Sequence, residues 1–391
     1  MKLNGTHNGV SYLPRESWAQ RRRKLLRLLH PGIGLKRWAA VAALGVAIIS
    51  IGFAFFTRKI FDITFPDFLP WYFEGFLLFG VGGAVILAAM YGLYRTLSPR
   101  VLSSQPIENL AESIYNRWSR GRGLNIVAIG GGTGLSVLLR GLRHHTDNLT
   151  AIITVADDGG SSGRLRQEMG VLPPGDFRNC LVAMSEAESV LTDLFQHRFK
   201  QGDGLKGHSF GNLFIVAMSE ITNSFEQALA ESSRVLAVHG QVLPSTLANL
   251  QLRARFTDGV IVDGESQITA RNGEIESLLI NPADAEASPM AIRAIEEADL
   301  VVIGPGSLYT SVLPNLLVTG IGEALRHTAA PKVYVCNVAT EIGETQDYTV
   351  AKHLAVLQRH TFGTIADFVL ANDTPRQLGP LFEGQPVIND G

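Results

Sequence analysis

Asp157 and Asp158 stand side by side after an apolar run, residues 150–156, and are followed by Gly159, Gly160, Ser161, Ser162, Gly163, Arg164 and Arg166. Two chemistries suit that pattern. An acid at the carboxyl end of a parallel strand can grip a ribose hydroxyl, and adjacent carboxylates can hold Mg²⁺ against a diphosphate. A polar turn whose Asp side chains bond backbone amides accounts for the same residues without a ligand. A second group of this character, Gly130, Gly131, Gly132 and Thr133, again follows an apolar run, residues 124–129. Glycine lets backbone N–H groups approach a phosphate closely, and the helix that follows adds its positive end. Leu135 stands where the dinucleotide fingerprint has its last glycine, so the stretch does not predict an NAD dehydrogenase.

Three more polar turns repeat the theme. In residues 173–179, Asp176 reads as a helix N-cap, while Arg178 and Asn179 can reach a phosphate or a base. In residues 206–212, His208 and Asn212 precede an apolar helix, where capping and local hydrogen bonding are the plain alternative. Residues 301–310 form a second strand-to-glycine turn, with Gly306, Ser307 and Thr310, and Asn337 closes the run 335–337. The candidate ligand set is therefore Gly131, Gly132, Thr133, Asp157, Asp158, Ser161, Arg164, Asp176, Arg178, Asn179, His208, Asn212, Gly306, Ser307 and Asn337. Asp157 and Asp158 are the candidates for Mg²⁺. No catalytic nucleophile is assigned, because the chain has no nucleophile elbow, no H-E-x-x-H, no cysteine cluster and no Walker A. The two cysteines, Cys180 and Cys336, sit in apolar surroundings and read as inert core thiols in a reducing compartment.

These turns must be set by the elements between them. Strand patterns at 124–129, 150–156, 234–238, 300–304, 332–337 and 368–370 alternate with helical ones at 134–144, 179–199, 212–232, 289–298, 313–327 and 348–360. Such alternation predicts an α/β, Rossmann-like, mainly parallel sheet covered on both faces, with every polar turn on one edge. Residues 249–256, 259–263 and 274–279, with turns at Asp258-Gly259 and Asn272-Gly273, predict an antiparallel excursion.

The amino-terminal part differs. Residues 1–37 carry nine Lys or Arg against one acid, and two apolar runs follow at 38–56 and 71–93. Their length and interfacial aromatics predict two transmembrane helices. The positive-inside rule places both termini and the globular domain in the cytoplasm, at the inner membrane. A buried hairpin of a soluble domain is the alternative. The expected domains are a basic arm (1–37), a transmembrane hairpin (38–97), a linker (98–123) with an amphipathic segment at 107–118, and a nucleotide-binding domain (124–391). Residues 101–391 carry a formal charge of −11, which argues against a nucleic-acid partner.

GGGTGLS at 130–136, TVADDGGSSGRLR at 154–166, PPGDFRNCL at 173–181, GHSFGNL at 207–213, VLPST at 242–246 and GPGSLYTSVLPNLLV at 304–318 together resemble the CofD/YvcK family. The resemblance covers roughly residues 124–372, with six segments in the family's order. It implies a Rossmann-like sheet with its ligand at the strand ends. The YvcK branch, the gluconeogenesis factor, implies a nucleotide-sugar-binding regulator of carbon metabolism, cell-wall synthesis and cell shape, with UDP-N-acetylglucosamine as ligand. VLPST and the excursion after it are more similar to that branch. The CofD branch implies instead a 2-phospho-L-lactate transferase moving a phospholactyl-type group from a guanylyl diphosphate donor to the deazaflavin Fo. A scaffold retaining only the shape of the site is a third reading. Members of either branch are typically soluble and often continue into a further helix past the position of Gly391, whereas this sequence carries a basic arm and a hairpin. The expected partners are thus a nucleotide sugar, a membrane and, as a candidate, a second copy of the chain; Mg²⁺ is the candidate cofactor.

Overall fold

The computed structural model describes residues 35–60, 71–97, 120, 123–187, 189–374 and 384–390. The chain divides into two units, residues 1–119 and 120–391.

In the first unit, α1 (Leu35–Ile60) and α2 (Trp71–Leu97) pack on each other. Their meeting line is made of small residues. Gly45, Gly52, Gly82, Ala89 and Gly92 are buried, and a β-carbon on Gly45 would stand 2.7 Å from Ile86 Cγ1. Large apolar side chains point outward instead: Leu44, Val46, Phe53, Leu87 and Met90 are each more than half exposed. The expected helical pair is present. The expected membrane spans are not supported, because among the described residues no helix is long and apolar enough to cross a membrane. Residues 1–34, 61–70 and the amphipathic stretch 107–118 lie outside the described residues.

The second unit is built on six parallel strands. In chain order the elements are β1 (Ile126–Gly130), α3 (Gly132–Leu142), β2 (Leu149–Ile153), α4 (Gly160–Met169), α5 (Gly175–Met184), α6 (Ser189–Gln196), α7 (Phe210–Thr222), α8 (Phe225–Val235) and β3 (Gln241–Pro244). An excursion follows, β4 (Gln251–Phe256), β5 (Ile261–Asp263), α9 (Glu265–Arg271) and β6 (Ile275–Asn281). The chain then returns through α10 (Pro289–Glu296), β7 (Leu300–Ile303), a π-helical turn (Leu308–Val312), α11 (Leu313–Leu316), α12 (Thr319–His327), β8 (Lys332–Val335), α13 (Val350–His360) and β9 (Phe368–Leu370). The main sheet runs β3-β2-β1-β7-β8-β9, and the excursion forms an antiparallel sheet, β5-β4-β6.

The expected α/β class, parallel sheet and antiparallel excursion are all present, and the differences are local. Residues 234–238 are not a strand: α8 runs on to Val235, because Ala228, Leu229 and Ser232 continue its buried face. The chain then turns through Ala237 and Gly240, both at positive φ, and the strand forms at Gln241–Pro244. The expected helix 212–232 is two helices, divided where Asn223 adopts the left-handed conformation and Ser224 accepts from Gln227 N–H. The expected helix 179–199 is likewise α5 and α6. Two short helices are not expected from the sequence: α4, from a stretch that reads as a polar turn, and α9, from residues between the strand patterns of the antiparallel excursion.

Burial of β1 on both faces explains its composition. Ile126, Val127, Ala128 and Ile129 are no more than 6% exposed, as expected of an inner parallel strand. Its register pairs Ile126 with Leu149 on one side and with Leu300 on the other. The connections from β1 leave toward β2 and β3, and the chain comes back to β7 on the opposite side. The order therefore reverses between β1 and β7, a topology that puts the crevice in which such sheets bind ligands beyond their carboxyl ends.

Candidate functional site

Two glycine turns form the floor of that crevice. After β1 come Gly131 and Gly132; after β7 come Gly304, Pro305 and Gly306. They lie close enough that a β-carbon on Gly306 would stand 3.1 Å from the Gly131 carbonyl, and one on Gly134 would stand 3.1 Å from that of Pro305. Gly132 has φ +67°, a conformation only glycine adopts freely. Asn337, at the end of β8, holds the second turn with two hydrogen bonds: Gly306 N–H donates to Asn337 Oδ1 at 3.1 Å, and Asn337 Nδ2 donates to the Gly306 carbonyl at 3.0 Å. Asn315, fully buried, ties the first turn by donating to the Gly130 carbonyl at 3.0 Å.

An acidic wall borders this floor. Asp176 does not cap α5, whose N-cap is Pro174; it accepts from Gly132 N–H at 2.7 Å. Burial, then the nearby charge of Asp157, raises its carboxyl to about 6. Asp157 Oδ1 accepts from Gly159 N–H at 2.9 Å, and burial raises this carboxyl too. Asp158 Oδ1 accepts from Ser266 N–H at 2.9 Å, which brings the first turn of α9 against the end of β2. That contact delivers Glu265, a residue the sequence reading did not include. Burial and the charges of Asp157, Asp158, Glu344 and Asp176 raise its carboxyl to about 8. Glu344 is buried, accepts from Thr310 Oγ1 at 2.7 Å and Tyr309 N–H at 3.2 Å, and is raised to about 7 by burial and Glu341.

Beside the acids, two residues along α5 from Asp176 and within reach of the charges of Asp176 and Asp157, lies a buried cation. Arg178 is 7% exposed, and no carboxylate pairs with it among the described residues. Its guanidinium donates to Ser209 Oγ, to Asn212 Oδ1 at 3.0 Å and to Asn179 Oδ1 at 2.8 Å, while its Nε–H has no acceptor. Asn212 Nδ2 in turn donates to Ser161 Oγ at 3.1 Å, and Ser161 Oγ lies 2.9 Å from His208 Nδ1. A buried guanidinium with neutral partners and a free N–H is suited to an anion.

Most of the sequence candidates are thus brought together, in linked groups: Gly131, Gly132 and Asp176; Gly306 and Asn337; Ser161, Arg178, Asn179, His208 and Asn212. Asp157 acts electrostatically on both Asp176 and Arg178, and Asp158 faces α9. Three sit at the margin. Thr133 is exposed on the first turn of α3, Arg164 is exposed and donates to the Lys206 carbonyl at 2.9 Å, and Ser307 donates to the Glu341 carboxylate. The other arginine of the GGSSG stretch has a structural task. Arg166 donates to Asn249 Oδ1 at 2.6 Å and to the carbonyls of Leu250, Val155, Ala156 and Asp157, stapling the end of β2 to the entry of the excursion. A separate cavity of about 450 Å³ lies at the amino-terminal ends of the strands, lined by Asn125, Asp147, Gln241 and Arg293 among others, and contains none of the candidate residues.

Comparison with known proteins agrees with this architecture. A family model described as "2-phospho-L-lactate transferase CofD" matches residues 126–380. The gluconeogenesis factor of Bacillus subtilis (strain 168) is 51% identical over 260 residues, 66% of this chain and 82% of that protein. A protein of Nostoc sp. (strain PCC 7120), to which the same name is given provisionally, is 48% identical over 363 residues, 90% of this chain and 79% of that one. A crystal structure of a Bacillus halodurans protein superposes with a TM-score of 0.66 at 48% identity, covering 68% of this chain and 88% of that one.

Proposed function

We propose, on the premise that this chain belongs to the CofD family and that its relatives include the gluconeogenesis factors, that the crevice binds the diphosphate of a nucleotide sugar. On this reading the protein is a regulator of carbon metabolism, cell-wall synthesis and cell shape, and its ligand is a UDP-sugar of the UDP-N-acetylglucosamine type. The observation that carries the reading is Arg178: buried, unpaired by any carboxylate among the described residues and with a free Nε–H, on the same helix as the Asp176 that holds the glycine floor. Anion recognition by backbone N–H groups and a guanidinium suits a diphosphate. Calorimetry of the full chain with UDP-N-acetylglucosamine, beside GDP and NAD, tests it. Binding confined to the UDP-sugar is the expected result, and no binding to any UDP-sugar removes the proposal.

A second reading is group transfer, favoured by the family model's description and by the carboxylates at the crevice. Among the described residues no group of three or more His, Cys, Asp or Glu is arranged to hold a metal. Mg²⁺ commonly takes one or two carboxylates together with ligand phosphates; Asp158 accepts a backbone bond from Ser266, and Asp157 accepts from Gly159 N–H and from the Ser162 hydroxyl. The two carboxylates would hold the ion, Asp157 giving up the hydrogen bond it accepts from Ser162, and the ion would offset diphosphate charge, while Arg178 would stabilise charge on a departing phosphate. Mass spectrometry after incubation with Fo, a phospholactyl-guanylyl donor and Mg²⁺ decides this; absence of product removes it.

The helical pair of the first unit would hold the protein at a membrane. Its support is the inverted packing, small residues within and large apolar ones outward, which suits an apolar medium better than water. Fractionation of cells, followed by a carbonate wash, should leave the full chain in the membrane pellet; recovery in the soluble fraction removes the tether.

A further inference from the structure

The four-residue chain from Arg178 to His208 has a direction that can be read without seeing a single hydrogen. Arginine only donates, so the Asn212 atom 3.0 Å from Arg178 Nη1 must be the amide oxygen. The amide nitrogen is then the atom facing Ser161, and it donates to Oγ at 3.1 Å. Ser161 has one proton to give. Among the described residues the only acceptor its hydroxyl meets is His208 Nδ1, at 2.9 Å. Nδ1 therefore accepts, and the proton of a neutral imidazole lies on Nε2. The three residues that follow Arg178, namely Asn212, Ser161 and His208, are buried, at 1%, 5% and 3% exposed.

The loop that carries His208 is held by two more cations. Arg164 donates to the Lys206 carbonyl at 2.9 Å and Arg198 to the Gly207 carbonyl at 2.5 Å. Burial first, and then the charge of Arg164, lower the pKa of His208, which favours the neutral ring. No acceptor for Nε2–H is present among the described residues.

We propose that Arg178, Asn212 and Ser161 act as a polarity relay that fixes His208 as a neutral Nε2–H donor to a phosphate oxygen of the bound ligand. The proposal rests on the nucleotide-sugar reading for its ligand and on the relay for its ring. Arg178 thus serves twice, as a local positive charge and as the origin of the hydrogen-bond direction. Asn212 and Ser161 are positioning residues; His208 is the group in contact.

Nitrogen NMR of the histidine-labelled full chain tests the ring directly, with His208 assigned from the signals lost in His208→Gln. The wild-type ring should show the Nε2–H tautomer at pH 7.5. In Asn212→Asp the carboxylate can only accept, so it takes the Ser161 proton and the Nε2–H signature should vanish. Should that variant not fold, Ser161→Ala removes the donor to Nδ1 and should abolish the single tautomer. Affinity for UDP-N-acetylglucosamine supplies the second readout. His208→Phe should weaken binding about tenfold or more, the loss of one hydrogen bond to a charged group. His208→Gln, whose amide offers an acceptor and a donor, should stay within about threefold of wild type. A wild-type ring found as Nδ1–H or imidazolium overturns the proposal, as does a glutamine variant as weak as the phenylalanine one. The expected ring in a chain that binds neither the UDP-sugar nor pyrophosphate supports the relay and overturns the nucleotide-sugar reading instead.

Discussion

Replacing Glu265 by Gln should stabilise the protein, and more so as pH rises. Glu265 enters the crevice on the first turn of α9, among Asp157, Asp158, Glu344 and Asp176, and its carboxyl is raised from 4.5 to about 8, by burial first and by those charges next. Between these values the folded chain holds a proton that the unfolded chain has released. Stability present below pH 4.5 is therefore lost as pH climbs toward 8, at 1.36 kcal/mol per pH unit while the difference persists. Roughly three and a half units of window give ~5 kcal/mol, reduced to ~2–3 kcal/mol by the solvent contact this side chain keeps. Gln has the shape of the protonated acid without the titration. A unit of this size shifts its melting point by about 2–4 °C per kcal/mol, so Glu265→Gln should melt roughly 4–12 °C above wild type at pH 8. At pH 4.5 the two should coincide. Differential scanning calorimetry of both full chains from pH 4.5 to 8.5 measures this. Equal melting points at pH 8, or a less stable variant, would falsify the electrostatic crowding argued for the acidic wall.

The two glycines after β1 should fail in different ways. A β-carbon on Gly131 would stand 2.8 Å from Asp176 Oδ2 and 2.9 Å from Thr154 Cγ2, so Gly131→Ala should cost about 1–3 kcal/mol in a denaturant titration and release the floor from Asp176. At Gly132 there is room, with Ser311 Oγ at 3.5 Å, but φ is +67°; Gly132→Ala should cost about 1–2 kcal/mol through backbone strain, and the bulkier Gly132→Val should abolish UDP-sugar binding in calorimetry. Arg166→Met should lower stability by about 2–4 kcal/mol, because several buried carbonyls lose their donor. Its urea midpoint should drop far more than that of Arg164→Met, whose arginine is exposed on the same helix.

What could be read in advance followed the range of the forces involved. Glycine turns after β-branched runs are local signals, and both floor turns formed where the residues placed them. The ends of α8 and α7 show periodicity misread over a few residues: Thr222-Asn223-Ser224 contains both the left-handed residue and the next N-cap, yet apolar spacing runs through it. α4 was hidden by its composition. Its glycines and serines oppose helix formation, and the helix exists because Ser161, Ser162, Gly163 and Leu165 are buried by tertiary packing. Glu265 was beyond sequence reasoning for a different reason. It lies more than a hundred residues from Asp157, and tertiary contacts such as the Ser266 N–H bond to Asp158 bring the two together. The opposite holds for Arg166, whose type suggested an anion and whose neighbours turned out to be carbonyls.

The placement of β7 beside β1 has a consequence for synthesis. Asn125 and Asp299, which join the two strands at their start, are 174 residues apart. A nascent chain emerging amino terminus first can pair β1 with β2 early, but the other half of the glycine floor leaves the ribosome only after the whole excursion has been made. At about 5–20 residues per second, that delay is on the order of ten to thirty seconds. A ligand that needed both turns would find no purchase on a chain that had not yet been made past residue 306.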